Sequence, residues 1–421
     1  MNASESVLRA AYDAAKERYA AWGVDVEAAL NTLAAIPLSL PCWQGDDVSG
    51  LEKKPTALGG GILVTGANPG RARGGDELRA DLELALSLIP GRHRVNLHAM
   101  YLEADAVVDR DRVEAKHFDR WAAWARQHNL GLDFNPTYFS HPLAASGLTL
   151  SHPDAAVRDF WVAHGIACRK IASDFGRKLG SACWHNTWAP DGYKDMPVDR
   201  WEARGRLAES LDRIHAHTSD PELEIDAVES KLFGIGVESA TVGSHEFYMG
   251  WASKNGVAVC LDMGHFHPTE DVGDKLSSLL RFFPQVLLHL SRPVRWDSDH
   301  VVVQDDPAAR VAEELARIGQ WNRVGLGLDY FDGTLVRPAA WVVGARAVQR
   351  SLLAALLQPH ETLKELERSG DATGKLVLLE NLKSGPWGAV WDWFCHTAGV
   401  PGSDWYDTVK TYARTVLSKR V

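Results

Sequence analysis

The sequence predicts a (β/α)8 barrel, and three observations carry that reading. Short apolar runs alternate with helical segments along most of the chain, they number about eight, and none is followed by a phosphate loop or dinucleotide fingerprint. Strict alternation implies parallel βα units, and eight of them favour a closed barrel over an open doubly wound sheet.

The elements follow in order. Val7, Leu8, Ala11, Tyr12, Ala15 and Tyr19 recur at helical spacing, with charges between them and Gly23 as a stop. IPLSLPCW, from Ile36, reads as the first buried strand. The Gly-rich stretch GGGILVTGANPG behind it lacks the GK[ST] ending of a phosphate loop, so it reads as a long loop over a pocket. From residue 75 each helix precedes a strand: ELRADLELALSLI before HRVNLHAM, HFDRWAAWARQHN before LGLDFNP, and DAAVRDFWVAHGIACRKIASDFG before SACWHNTW. DRWEARGRLAESLDRIHAH leads to LEIDAVESK, HEFYMGWASKNG to VAVCLDMGH, GDKLSSLLRFF to VLLHLSRP, and DPAARVAEELARIG to RVGLGLDYF. In the last of these helices Asp306 can cap, Pro307 suits the first turn and Gly319 ends it. From about residue 335 the chain turns helical, with AWVVGARAVQRSLLAALL as one helix and Trp405, Val409, Tyr412 and Val416 marking another. The expected division is a catalytic barrel with its N-terminal helix over 1–334, and a helical extension over 335–421 in oligomer contacts.

Composition narrows the function. A net charge of −10 argues against a nucleic-acid partner, whose phosphates need a basic face. The five cysteines, Cys42, Cys168, Cys183, Cys260 and Cys395, are odd in number and show no CxxC spacing, which fits a reducing compartment. No apolar stretch approaches the ~20 residues of a membrane span, and the first residues read as an amphipathic helix rather than a signal peptide. The expected location is cytoplasmic, with no membrane partner.

Barrel chemistry sits at the C-terminal ends of the strands. The fifth strand ends in Glu229 and Lys231, two apart and so on one face. The sixth ends in Asp262 with His265 close behind, and the seventh carries His289 inside an apolar run, followed by Asp297, Asp299 and His300. The eighth ends in Asp329. An acid that ends an apolar strand needs a partner, and a cation is the simplest. The oxygen-rich set with imidazoles and no thiolate favours Mn²⁺, Mg²⁺ or Co²⁺ over structural Zn²⁺. Seven ligands exceed one ion, so two are implied, ~4 Å apart as in other two-metal sites. The earlier strands offer His98, Phe134 with Asn135, Trp188, and Trp43 just after the first strand. Aromatics with a few polar groups suit a sugar, stacking on CH faces and hydrogen-bonding hydroxyls.

The phrases CWQGDDVSG, FNPTYFSHPL, VESKLFGIG, LDMGHFHPTE, SRPVRWDSDHVV and GLDYFD resemble those of bacterial L-rhamnose isomerases, over essentially the whole chain. The resemblance implies a (β/α)8 homotetramer that interconverts L-rhamnose and L-rhamnulose with Mn²⁺, for which Co²⁺, Mg²⁺ or Zn²⁺ could stand in. Carried over, Glu229, Asp262, His289 and Asp329 match a first metal site, and His265, Asp297 and Asp299 a second, catalytic one. Lys231 matches the active-site lysine, so Lys231, Asp299 and His98 are the expected catalytic groups. Trp43, His98, Phe134, Trp188, Lys231, His265 and Asp329 are the expected sugar contacts. Thr137-Tyr138 departs from the commoner loop pattern. A metal-assisted 1,2-hydride shift is the preferred route and a cis-enediol the alternative. An isomerase of another aldose, a multi-metal barrel hydrolase and a non-catalytic sugar-binding protein stay open as rivals.

Overall fold

The computed structural model describes residues 4–53, 66–216, 220–231, 239–294 and 296–420; for 296–299 it describes the backbone alone. Eight parallel strands close into a barrel: β1 (Pro37–Pro41), β2 (Arg92–His98), β3 (Gly131–Asn135), β4 (Cys183–Trp188), β5 (Glu224–Glu229), β6 (Ala258–Asp262), β7 (Val286–Leu290) and β8 (Val324–Leu328). Each strand pairs with its sequence neighbours, and β8 closes on β1 where Gly327 meets Ser39. The register sets Asp262 beside His289, and His289 beside Gly327.

Alternation along each strand divides the residues between two faces. Ser39, Asn96, Asp133, Asn135, Trp184, Asn186, Leu287 and Gly327 line the interior. The opposite parity packs outward on the helices: Phe134 of β3 lies edge-on to Phe118 and Phe175, at ring separations of 5.0 and 5.6 Å. After two N-terminal helices, α1 (Glu5–Ala21) and α2 (Val26–Ala35), the outer ring includes α3 (Gly75–Leu86), α4 (Asp119–Gln127), α5 (Ala155–Leu179), α6 (Arg200–Ile214), α7 (His245–Asn255), α8 (Val272–Leu279) and α9 (Asp306–Ile318).

Several expectations shift. Residues 26–35, passed over in the sequence reading, form a helix capped by Asp25 that buries Val26, Ala29, Leu30 and Leu33 at helical spacing. The cap of α9 is Asp305, not Asp306, because its carboxylate is the one that reaches the Ala308 amide. The SRPVRWDSDH segment forms an antiparallel pair, Arg292–Val294 with Trp296–His300, rather than an open loop. The helix expected to open a separate extension, Arg337–Leu356, is buried along nearly its whole length against α9 and α3, and its Trp341 indole donates to the Pro41 carbonyl at 2.8 Å. It follows β8 as the eighth helix of the ring, so the 334/335 boundary cuts through the barrel. The extension proper is four further helices between His360 and Thr415. Most of the Gly-rich stretch lies outside the described residues. Its last part is pinned where the Asn68 amide donates to the Gly333 carbonyl at 2.8 Å. Gly66, at φ +110°, passes so close to Gly333 and Thr334 that a side chain would collide with backbone. No single helix among the described residues is long and apolar enough to cross a membrane.

Candidate metal centre at the barrel mouth

Glu229 and Asp262 are the last residues of β5 and β6, His289 is the fourth of five in β7, and Asp329 immediately follows β8. The barrel register brings one ligand atom from each within 4.8 Å of all the others. Glu229, Asp262 and His289 are buried, and Asp329 is 20% exposed toward the mouth. The Asp329 amide donates to the Leu290 carbonyl at 3.0 Å, which fixes the carboxylate as it leaves the barrel.

Three carboxylates so close together in a dry site repel one another unless something positive lies among them. The acid–base behaviour reflects that. Burial, reinforced by Asp329 and Glu229, pushes Asp262 up to about 8. Burial also works to raise Glu229, but His289 and His265 outweigh it and hold the carboxyl well below its usual range. Burial opposes a charged His289, yet Cys260, Glu229 and Asp329 raise it well above an ordinary histidine.

Hydrogen bonds orient the outer edges of these ligands and leave the inner edges bare. Asp262 Oδ1 accepts from the Gly264 amide at 2.6 Å and from Ser291 Oγ at 3.0 Å, while its Oδ2 is buried with no hydrogen-bond partner among the described residues. Glu229 Oε2 accepts from the Asn186 amide. His289 Nδ1 likewise makes no hydrogen bond among the described residues, although it lies 3.1 Å from Asp329 Oδ2 and 3.4 Å from Glu229 Oε2. Two orphaned atoms, Asp262 Oδ2 and His289 Nδ1, in a cluster where four side chains converge, fit a divalent cation. Glu229, Cys260 and His289 also approach one another, but burial pushes the Cys260 thiol well up, and a neutral thiol is the poorer ligand.

Beside this cluster His265 Nδ1 lies 2.9 Å from both Glu229 Oε1 and the Ser230 carbonyl. Trp188 lies nearly parallel to His265 at 6.5 Å, and Lys231 Nζ sits 5.1 Å from the Trp188 ring centre. A run of ring contacts continues from Trp188 to Phe139 at 5.7 Å, on to His98 at 5.5 Å and to Trp43 at 4.9 Å. His98 is buried, and burial lowers it to about 4, so it is neutral near pH 7. Its Nδ1 lies 3.3 Å from Thr137 Oγ1 and its Nε2 3.4 Å from the Asn135 amide.

The family model for L-rhamnose isomerase (RhaA) matches residues 6–420. The L-rhamnose isomerases of Salmonella paratyphi B and Salmonella typhi are each 54% identical over 414 residues, covering 98% of this chain and 99% of theirs. The chain belongs to the L-rhamnose isomerase family. Among solved structures, an L-ribulose 3-epimerase aligns with a TM-score of 0.46 at 16% identity, over 79% of this chain and 97% of its own. The 3-keto-D-glucoside 4-epimerase YcjR of E. coli aligns at 0.40 and 11%, over 69% and 98%. Both alignments are too loose to bear on the site.

In this member of the L-rhamnose isomerase family, the structure gathers Glu229, Asp262, His289 and Asp329, with His265 in contact. It sets Lys231, Trp188, His98 and Trp43 in or beside the aromatic run. Asp297 and Asp299 lie in the strand Trp296–His300, but their side chains fall outside the described residues. Phe134 is not at the mouth. Its neighbours Asp133 and Asn135 take the inward positions, so it points into the helical layer. Phe139 is the phenylalanine in the run. Two residues escaped the sequence reading: Phe139, which no strand pattern marks, and Asn186, which shares the inward parity of Trp188.

Proposed function

We propose that the chain interconverts L-rhamnose and L-rhamnulose with two divalent cations, Mn²⁺ being the best fit to an oxygen-rich, thiolate-free donor set. The observation that carries this is the meeting of four ligand atoms from consecutive strands within 4.8 Å at the barrel mouth, in a chain of this family. Glu229, Asp262, His289 and Asp329 would hold one ion, and His265, Asp297 and Asp299 the other. His265 would bind through Nε2, because its Nδ1 faces Glu229 and Ser230. Such ions act as Lewis acids toward sugar hydroxyl and carbonyl oxygens.

The protein's own groups supply the rest. Trp43, Phe139 and Trp188 offer faces for the CH edges of the sugar and keep water off the reacting carbons. Neutral His98 takes the anomeric O1 proton as the C1–O5 bond breaks and hands it to O5, which opens the pyranose to the aldehyde. The Asp299 carboxylate takes the proton from O2, the C2 hydrogen moves to C1 with its electron pair, and the proton returns to O1. The Lys231 ammonium stabilises the negative charge that builds at O1. Retention of a C2 deuterium at C1 of the product supports this route, and washout to solvent supports a cis-enediol.

We further propose a cytoplasmic homotetramer with the C-terminal helices in its contacts; the exposed Leu376 and Val377 support that face. The deciding assay is ketose formation from L-rhamnose by the purified protein, its loss in EDTA and its return on adding Mn²⁺. Turnover unaffected by EDTA would reject the metal-dependent reading.

A further inference from the structure

Arg110 lies between β2 and α4 and is only 1% exposed, and its guanidinium reaches two neighbouring loops. Nε and Nη2 donate to the two Glu52 carboxylate oxygens at 2.5 and 2.8 Å, in the loop after β1. Nη1 donates to the Thr137 and Phe139 carbonyls at 2.5 and 3.0 Å, in the loop after β3. The Arg110 main chain joins the same knot. Its carbonyl accepts from His164 Nδ1 at 2.8 Å, and His164 Nε2 accepts from the Thr137 amide at 2.9 Å. Burial, with Arg110 nearby, lowers His164 to about 3, so the ring stays neutral and keeps one nitrogen to donate and one to accept.

Both loops need such a hold. Asp47 and Val48 in the first, and Ser140 in the second, stand at φ +60°, +57° and +52°, where a side chain is unfavourable and a β-branched one most of all. Ser140 directly follows Phe139, whose ring lies 5.5 Å from His98 and 5.7 Å from Trp188. Thr137 reaches the same imidazole, with its Oγ1 3.3 Å from His98 Nδ1. The arginine therefore grips the backbone on both sides of Tyr138, where one neighbour forms a wall of the aromatic run and the other touches His98. A buried ion pair adds little net stability, because desolvating two charges offsets their attraction. A planar fork with fixed donor directions is instead suited to holding several acceptors in one geometry.

We propose that Arg110 is a positioning residue for the sugar site: anchored by Glu52, it fixes the 137–139 backbone and so sets Phe139 against the sugar and His98 at its working angle. It acts through the loop rather than on the sugar. The effect on turnover rests on the isomerase reading; the clamp itself does not.

Arg110→Lys, which keeps the charge and loses the fork, tests this in the full-length protein. KM for L-rhamnose and the dissociation constant of its alditol, read by calorimetry, should both rise severalfold at unchanged Mn²⁺ affinity. In a Phe139→Ala background the same change should add little to either constant, because the ring it positions is gone. A lowered melting temperature with KM and alditol affinity unchanged overturns the proposal, and so do effects that multiply in full in the double variant. If Arg110→Lys does not fold, Glu52→Gln leaves the arginine in place and weakens its anchor. It should move the same constants in the same direction, and unchanged constants there overturn the proposal equally. An unaltered protein that binds the alditol without turning over L-rhamnose rejects the isomerase reading and leaves the clamp to be judged by alditol affinity. Neither binding nor turnover rejects the sugar site, and the positioning role with it.

Discussion

Asp262 and His289 are register neighbours on β6 and β7, yet Asp262 Oδ2 and His289 Nδ1 face each other at 3.7 Å and neither makes a hydrogen bond among the described residues. A buried acid held from behind by Gly264 and Ser291, facing a buried imidazole at this separation, leaves a gap suited to a third party. The first prediction follows directly. Asp262→Asn should weaken Mn²⁺ binding by more than ~100-fold, since even residues that merely orient a ligand cost ~10- to 100-fold. Titration of Mn²⁺ by calorimetry or electron spin resonance checks this, and unchanged affinity would count against the site.

Metal should also stabilise the fold, because the cluster assembles only in the folded barrel. Free Mn²⁺ at about 100 times its dissociation constant should add about 2.7 kcal/mol. A melting temperature that rises with Mn²⁺ and falls in EDTA is the expected result; no dependence on the ion contradicts it.

Asp46 supplies a pH signature away from the cluster. Burial pushes this carboxyl up to about 7, although Tyr101 Oη at 2.5 Å and the Gly50 amide at 2.7 Å favour its charged form. A carboxyl raised on folding binds its proton more tightly in the native state. Its stabilising contribution is therefore complete below about pH 4 and is lost as pH rises through about 7. Relative to Asp46→Asn, the unaltered protein should lose up to ~1.4 kcal/mol per pH unit across that window. Denaturation curves at pH 4.5 and 7.5 for both proteins give the difference, and a flat difference would contradict the assignment.

The two phenylalanines of the FNPTYF segment should part company. Phe134→Ala empties a site between Phe118 and Phe175 and should cost about 3–5 kcal/mol of stability, with little change in KM for the folded fraction. Phe139→Ala should raise KM about tenfold, a loss of ~1.4 kcal/mol of binding, for a smaller loss of stability. Steady-state kinetics beside chemical denaturation separates the two, and the reverse pattern would restore Phe134 to the mouth.

His98→Asn should slow turnover of the cyclic sugar by ~10²-fold, the scale of one lost acid–base group. Full activity on the pyranose would remove His98 from ring opening.

The sequence made the barrel legible because short apolar runs and capped helices are local signals, and each was strong by itself. The strand-end acids were legible for the same reason: a carboxylate closing an apolar run is conspicuous. Phe134 was misplaced although the signal was present, since Asp133 and Asn135 alternate with it and two of the three had to face one way. Asn186 could have been found by its parity with Trp188. Phe139 could not, because it sits in a loop whose path depends on long-range contacts such as Arg110 to the Phe139 carbonyl. The eighth ring helix was split from the barrel because an apolar helix looks alike in a ring and in an appendage. Only its burial between α3 and α9 separates the two.

The most direct test of the central claim is an anomalous difference map from crystals of the Mn²⁺-loaded protein, collected at the manganese edge. The account predicts a peak enclosed by Glu229, Asp262, His289 and Asp329. A fully loaded crystal with no density there, or with its manganese bound elsewhere on the chain, would contradict it.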